Sequence, residues 1–149
     1  MRKPKRGDNV VIRRGRVTDD VALAKLLCEL GYHSSPNFAR KKIRQLSGTE
    51  TDRVFVAVAE KVVTGFASCH IMPLIHQPGC LCRVTALCVS TERRAAGIGR
   101  LLMEAVEDFA RSTDCLRIEI TSGKHRNHAH EFYRRIGYRE VSSRFLKVL

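Results

Sequence analysis

The segment Ser90-Thr-Glu-Arg-Arg-Ala-Ala-Gly-Ile-Gly-Arg100 decides how this chain folds. It follows the apolar run 84–89 and opens an amphipathic stretch that extends to Ser112, so a strand, a glycine-containing turn and a helix start follow one another. Glycine lets the backbone approach a ligand closely, and the free N–H groups at a helix start attract anions. The segment therefore predicts a phosphate site built largely from backbone amides.

Two common phosphate-binding loops do not fit this segment. A Walker loop needs a Lys-Ser/Thr pair, and none follows Gly97 or Gly99. A dinucleotide-binding loop needs a third glycine where this chain has Leu102. The remaining pattern, Arg94-x-x-Gly97-x-Gly99 after a strand, resembles the pyrophosphate loop of the GNAT superfamily of N-acetyltransferases. On this pattern alone, an incidental glycine pair at a helix start stays an alternative.

A second segment strengthens the resemblance. Residues 127–138 read Asn-His-Ala-His-Glu-Phe-Tyr-Arg-Arg-Ile-Gly-Tyr and are similar to the closing GNAT motif Asn-x-x-Ala-x-x-Phe/Leu-Tyr-x-x-x-Gly-Phe. Two positions depart from it, because Ala129 comes one residue early and Tyr138 replaces the usual Phe. One helix and one strand separate the two motifs, as in the family. The resemblance covers about residues 9–145, nearly the whole chain.

Hydrophobic periodicity and turn residues predict the element order β-α-α-β-β-β-α-β-α-β. This order gives an α/β layered fold in which antiparallel strands precede a parallel crossover. The resemblance implies the GNAT fold, with a mixed, mostly antiparallel central sheet, helices on both faces, and splayed strands four and five that admit CoA between them. The predicted strands are 9–14, 54–59, 62–71, 81–89, 115–121 and 138–149, and the predicted helices are 18–30, 36–47, 99–112 and 127–136.

Length and composition predict one domain over residues 9–149, preceded by a flexible basic arm, residues 1–8. Apolar residues make up 44% of the chain, but no apolar run approaches the length of a membrane span. The N-terminus lacks the apolar stretch of a secretory signal. Most of the six cysteines lie in apolar runs, so we expect reduced thiols and a cytoplasmic protein with no membrane partner.

The formal net charge of +12 fits an anionic ligand such as CoA and also a solvated basic surface. Nucleic-acid binding is a rival interpretation, but the chain has no Trp and few aromatic residues on which bases could stack. The pair Cys80-x-Cys82 has an unusual spacing for zinc and no histidine beside it in sequence, so we expect no metal. A homodimer is compatible with the sequence.

The resemblance implies which residues bind acetyl-CoA. The amides of Gly97, Ile98, Gly99 and Arg100 would hold the pyrophosphate, with charge from Arg93, Arg94 and Arg100 and with Ala95 and Ala96 completing the loop. Leu87, Cys88 and Val89 would offer backbone groups to the pantetheine arm, and an amide near Val89 would polarise the thioester carbonyl. Asn127 would contact the pantetheine near the sulfur; its alternative role is the N-cap of the last helix.

The resemblance also implies a general acid, Tyr133, because a phenol is protonated at neutral pH and can donate to a leaving thiolate. The alternative for Tyr133 is a plain core aromatic. The general base is Glu119 on strand five or His70 on strand three, either acting through water, although a strand Glu is more often solvated or ion-paired.

These expectations predict an N-acetyltransferase that moves an acetyl group directly from acetyl-CoA to a primary amine of a small molecule or a peptide N-terminus. A basic protein disfavours polycationic acceptors, so small amino acids, acidic metabolites and peptide N-termini fit better. The alternative is a non-catalytic domain that binds acyl-CoA as a sensor or interaction module.

Overall fold

A computed structural model describes residues 9–94, 96–122, 126–141 and 144–149, so the predicted N-terminal arm and Ala95 lie outside the described residues. The strands are β1 (Val11–Arg14), β2 (Asp52–Ala59), β3 (Val62–Pro73), β4 (Cys80–Val89) and β5 (Cys115–Ile120). The helices are α1 (Asp20–Leu30), α2 (Pro36–Ser47), α3 (Ile98–Ser112) and α4 (Asn127–Arg135).

The strands form one sheet in the order β1-β2-β3-β4-β5. Neighbouring strands are antiparallel except β4 and β5, which run parallel because α3 carries the chain back across the sheet. The tight β2–β3 turn uses Glu60 and Lys61, both with positive φ although neither is glycine. The mixed, mostly antiparallel sheet predicted from the sequence is confirmed.

Strands β4 and β5 pair over only part of their length. Their register runs from Cys80 opposite Cys115 to Val84 opposite Ile120, where β5 ends. β4 continues to Val89 without a partner on β5, so the edge of its last five residues faces an opening. This opening is the splay that the resemblance implies for strands four and five.

Hydrophobic cores cover both faces of the sheet. On one face the core centres on α3, which buries Ile98, Leu102 and Val106 against β3 and β4. On the other face α1 and α2 bury Leu23 and Ile43 against the sheet.

A β-bulge in β4 lies at the start of the gap. Ser68 pairs with Ala86 and Cys69 pairs with Val84, which leaves Thr85 as an extra residue without a partner on β3. Val84 therefore packs under α3, whereas Ala86 packs under α1 and α2, although residues two apart on a regular strand share one face. Bulges redirect side chains in this way beside many functional sites.

The prediction of a last strand over residues 138–149 is wrong. The described residues 138–141 and 144–149 form no strand, and Phe145 and Leu149 are 95% and 111% exposed. Tyr138 is the last residue fixed to the core, through its amide bond to the carbonyl of Tyr133 and its hydroxyl bond to Glu107. Apolar residues favour a strand only where a neighbouring strand packs beside them, so composition misled the prediction.

Two smaller features differ from what the sequence favours. Thr18 or Asp19 is a typical N-cap residue for the first helix. Asp19 is at the N-cap position of α1, but its carboxylate accepts hydrogen bonds from the side chain of Arg13 and the amide of Arg16 instead of capping the helix. β3 extends through Pro73, into the region predicted as a loop, and this proline pairs with Cys80 at the end of the strand.

Candidate functional site

The gap between β4 and β5 forms a cleft of about 350 Å³. Four elements meet around it: the end of α1, the bulged part of β4, the end of β5 and the start of α4. The described residues that line the cleft are Leu30, Gly31, Tyr32, Val84, Thr85, Ala86, Leu87, Ile120, Thr121, Ser122, Arg126 and Tyr133. The lining therefore combines side-chain hydroxyl groups with apolar side chains.

The glycine loop enters α3 beside this cleft. Gly97 is the N-cap of α3 with φ of +80°, a left-handed conformation that glycine adopts without strain. No side chain caps the helix, so the first amides, from Ile98 to Arg100, need an acceptor from outside the helix. Arg94 is exposed and forms no ion pair with any residue in the described ranges. The loop can thus hold an anion on backbone and side-chain donors together.

The arginines of the loop are not equivalent. Arg93 donates a hydrogen bond of 2.7 Å to the carboxylate of Glu60 in the β2–β3 turn, so part of its charge is neutralised within the fold. Arg100 is exposed on the first turn of α3, without an ion pair in the part of the chain that the structure describes. The free positive charge of the loop therefore comes mainly from Arg94 and Arg100.

Gly99 has a packing role that the sequence did not reveal. A Cβ on this residue would lie 3.1 Å from the ring of Phe132 on α4. This distance is shorter than nine in ten of the contacts that Cβ atoms make in proteins. Gly97, in contrast, has no atom within 4 Å of its missing Cβ. The two glycines thus differ: Gly97 leaves open space for a ligand, whereas Gly99 lets α3 and α4 approach.

The last residues of β4 offer backbone groups to the gap. Leu87 and Val89 pair with Ala67 and Gly65 on β3, and neither has a partner on β5. The side chain of Cys88 belongs to the core under α1, where its Sγ lies 3.4 Å from the carbonyl oxygen of Leu26. Burial raises the pKa of this thiol, so Cys88 is an inert core residue and only its backbone could contact a ligand.

Tyr133 lies on the α4 wall of the cleft. Its ring packs against those of Phe132 and Tyr138, while its hydroxyl forms no hydrogen bond to any described residue. Burial raises the pKa of Tyr133 to about 12, an effect that nearby Arg126 partly opposes. The phenol is therefore protonated at neutral pH and can donate its proton or a hydrogen bond to a group in the cleft.

The start of α4 corrects one alternative from the sequence. Arg126 is the N-cap residue and Asn127 is the first helical residue, so the proposed N-cap role of Asn127 is wrong. Asn127 is exposed. Arg126 reaches across the mouth of the cleft and donates a 2.8 Å hydrogen bond to the carbonyl of Leu30 at the end of α1.

Glu119 is held between two arginines. Its carboxylate accepts from Arg83 at 2.6 Å and from Arg117 at 2.9 Å, and Arg83 also donates to Thr121. Each carboxylate oxygen therefore already accepts a hydrogen bond from a guanidinium group. Its side chain is one-third exposed and is not among the residues that line the cleft.

His70 joins a chain of hydrogen bonds that ends in the cleft. Its Nε2 lies 2.8 Å from the hydroxyl of Thr85, and its Nδ1 lies 2.8 Å from Oδ1 of Asp52. Oδ2 of Asp52 accepts from the hydroxyl of Thr49 at 2.7 Å. Burial tends to raise the pKa of Asp52, but the bonds from Thr49 and His70 outweigh it and the pKa lies below its usual value.

Sequence reasoning missed Asp52, Thr49 and Thr85. Asp52 faces His70 in the β2–β3 register, which no local motif encodes. Thr85 reaches His70 from the bulge in β4, and the sequence around it contains no glycine to indicate a bulge. Only the alternation of side chains across three strands could have suggested this network, and the bulge breaks that alternation.

The described residues do not support a metal site, a disulfide bond or a membrane-spanning helix. None of these residues forms a cluster of three or more His, Cys, Asp or Glu side chains placed to hold a metal ion. All six cysteines are free thiols. In the described ranges, no helix is both long enough and apolar enough to cross a bilayer.

Comparison with known proteins agrees with this geometry. The model of the acetyltransferase (GNAT) family matches residues 21–138. An aminoalkylphosphonate N-acetyltransferase from Salmonella typhimurium is 30% identical over 94 residues, which span 63% of this chain and 61% of that relative. The match thus covers less than two-thirds of the relative's length.

Solved structures show the same fold at low sequence identity. An aminoglycoside N-acetyltransferase in complex with CoA has a TM-score of 0.85 at 16% identity, covering 99% of both chains. Glucosamine-6-phosphate N-acetyltransferase from Arabidopsis thaliana has a TM-score of 0.81 at 17% identity, covering 94% of this chain and 98% of its own. A GNAT acetyltransferase from Staphylococcus aureus has a TM-score of 0.79 at 23% identity, with 94% and 98% covered.

Proposed function

The chain belongs to the acetyltransferase (GNAT) family, and from this membership we propose that it transfers an acetyl group from acetyl-CoA directly to a primary amine. The observation that carries the proposal is the cleft beyond Val84 and Ile120. It offers an open strand edge and a Tyr133 hydroxyl that bonds to no described residue, and the chain that leaves this edge leads to a helix start that no described side chain caps. Acetyl transfer from CoA requires a site for the pantetheine arm, a site for the pyrophosphate and a proton donor for the leaving sulfur, and the strand edge, the helix start and the hydroxyl can supply them in that order.

The loop and the β4 edge are assigned to acetyl-CoA. The pyrophosphate binds the amides from Gly97 to Arg100 and the charges of Arg94 and Arg100, and Ala96 belongs to the same turn. Leu87, Cys88 and Val89 bind the pantetheine arm through their backbones, as a strand would, and Asn127 contacts it from α4. A backbone amide at Val89 stabilises the oxyanion, a contribution typically worth about 3 kcal/mol.

Tyr133 acts on the leaving group. The amine nitrogen attacks the thioester carbonyl carbon, the C–S bond breaks and its electron pair stays on sulfur. The Tyr133 hydroxyl gives its proton to that sulfur and recovers one from the acetylated nitrogen, which yields the amide and the free thiol. Because its pKa is about 12, the phenol returns to its protonated form after each turnover. Glu119 acts indirectly, by holding Arg83 beside Thr121.

The acceptor is a small amine that also carries an anionic group. Among the described residues that line the cleft, Arg126 is the one with a charged side chain, so the cleft attracts anions and repels polycations. A guanidinium binds carboxylate and phosphonate oxygens well. The name of the Salmonella relative, an aminoalkylphosphonate N-acetyltransferase, describes such an acceptor.

Thiol release from acetyl-CoA tests this function. Purified protein is incubated with acetyl-CoA and three amines of similar length: 2-aminoethylphosphonate, ethanolamine and 1,3-diaminopropane. We expect free CoA and an equal amount of N-acetyl product by mass spectrometry, fastest with the phosphonate. If acetyl-CoA binds in calorimetry but no amine of a wider panel is acetylated, the chain is an acyl-CoA sensor and not an enzyme.

A further inference from the structure

The chain of hydrogen bonds from Thr85 to Asp52 is not used by the groups that act on the thioester. It connects side chains on three neighbouring strands, with Asp52 on β2, His70 on β3 and Thr85 on β4. Both contacts of the imidazole are 2.8 Å, which is a good hydrogen-bond distance. One end of the chain is an exposed hydroxyl in the cleft, and the other end is an ionised carboxylate whose pKa is lowered.

The two bonds fix the direction in which a proton can move. The Asp52 carboxylate is an acceptor, so Nδ1 of His70 carries the hydrogen and Nε2 of the neutral ring is left as the acceptor for the Thr85 hydroxyl. The oxygen of Thr85 then has its lone pairs free toward the cleft. A protonated amine in the cleft can therefore donate to Thr85 while Thr85 donates to His70.

Other charges around His70 leave this arrangement intact. Its register partners are Asp52 on β2 and Arg83 on β4. Arg83 turns its guanidinium to Glu119 and Thr121, so the nearest anionic partner of His70 is Asp52.

We infer that Asp52, His70 and Thr85 form a proton relay that neutralises the acceptor amine before it attacks the thioester. The ammonium gives one proton to the Thr85 oxygen, the hydroxyl proton moves to Nε2 of His70, and the imidazolium passes that proton to water after the product leaves. Thr85 touches the substrate, whereas His70 and Asp52 act through it as positioning residues. The relay and Tyr133 lie on opposite walls of the cleft, on β4 and α4.

This inference rests on the proposed acetyl transfer, and the experiment separates the two. CoA release by the unaltered protein with 2-aminoethylphosphonate is established first, and its absence counts against the proposed function alone. Turnover and acetyl-CoA affinity are then measured from pH 6 to pH 9.5 for Thr85→Val, Thr85→Ser, His70→Gln and Asp52→Asn. His76→Gln is the matched control, because His76 is exposed in the β3–β4 loop.

The relay predicts a pattern that a merely structural role does not produce. Thr85→Val and His70→Gln should lower turnover at pH 7 by about 10²-fold, with acetyl-CoA affinity unchanged, because general-base catalysis is lost. The deficit should shrink as pH rises and the amine deprotonates in solution, and added imidazole should partly rescue His70→Gln. Thr85→Ser keeps a hydroxyl and should recover most of the turnover that Thr85→Val loses, and the control His76→Gln should retain activity.

The opposite pattern would overturn the relay. Turnover of Thr85→Val and His70→Gln within about twofold of the unaltered protein at pH 7 would show that the amine loses its proton elsewhere. A deficit of equal size at every pH, without imidazole rescue and with a lowered melting temperature, would show that these bonds only hold the sheet together.

Discussion

The two parts of the candidate site are built in different ways. The proposed anion-binding side is one contiguous turn, from Arg94 to Arg100, whose donors are mostly backbone amides. The other side, where Asp52, His70 and Thr85 meet, comes from three strands and depends on a bulge. A contiguous turn can be recognised in a sequence because its glycines are local, whereas a cross-strand network depends on register. The comparison predicts that substitutions on the two sides affect binding and turnover separately.

The largest expected effect belongs to Tyr133. Tyr133→Phe keeps the ring and its packing but removes the hydroxyl from the cleft, so we expect turnover to fall by roughly 10²–10⁴-fold at nearly constant acetyl-CoA affinity. Tyr138→Phe is the matched control, because that hydroxyl binds Glu107 and its loss costs only about 1 kcal/mol of stability. CoA release by both variants decides the question. Full activity in Tyr133→Phe would remove this residue from the mechanism.

The difference between contiguous motifs and contacts across strands also decides how much of the fold could be predicted from the sequence. The order of the elements from the first strand to the last helix, the parallel crossover and the turn at Gly97 come from local periodicity and turn residues, and the structure confirms them. The C-terminal segment was predicted as the strand that closes the sheet, but strand formation depends on a neighbour that the sequence does not specify.

The same difference separates the site residues that the sequence predicted from those that it missed. Tyr133 and the loop were found because each belongs to a motif of adjacent residues. Asp52 and Thr85 were missed because the register of β2, β3 and β4 brings them to His70. Glu119 takes the ion-paired role that is common for a strand Glu, because Arg83 on β4 and Arg117 on its own strand both bind its carboxylate.

A second prediction tests the binding side alone. Gly97→Asn keeps the left-handed backbone, which Asn tolerates, but fills the open space beside the loop. We expect acetyl-CoA affinity to fall by about 10- to 100-fold, which corresponds to the loss of a charge-assisted hydrogen bond. Gly137→Asn is the control, because Gly137 also has positive φ and open space but lies at the far end of α4. Calorimetry with equal affinities for the two variants would exclude the loop as the pyrophosphate site.

A third prediction concerns the acceptor. Arg126→Gln should raise the KM for 2-aminoethylphosphonate about tenfold while leaving the KM for ethanolamine unchanged, because only the phosphonate needs the guanidinium. Initial rates over a range of both amines measure this. Equal effects on the two amines would show that Arg126 supports the cleft through its bond to Leu30 and does not select the acceptor.

The smallest expected effect lies far from the cleft, at Asp19. Burial tends to raise the pKa of this carboxyl, but the bonds from Arg13 and the Arg16 amide outweigh it and hold the pKa below its usual value of about 3.9. The pair thus stabilises the fold above that value, and the stability is lost as pH falls through the lowered pKa. Asp19→Asn should flatten the loss of melting temperature between about pH 5 and pH 3. Asp108→Asn, in an exposed pair, should not.

A crystal structure of the protein with bound CoA tests the central claim most directly. The account predicts pyrophosphate oxygens within hydrogen-bond distance of the amides from Gly97 to Arg100. It also predicts the pantetheine along the free edge of β4 and the sulfur beside Tyr133. CoA bound elsewhere, or a pyrophosphate without contact to this turn, would contradict the account.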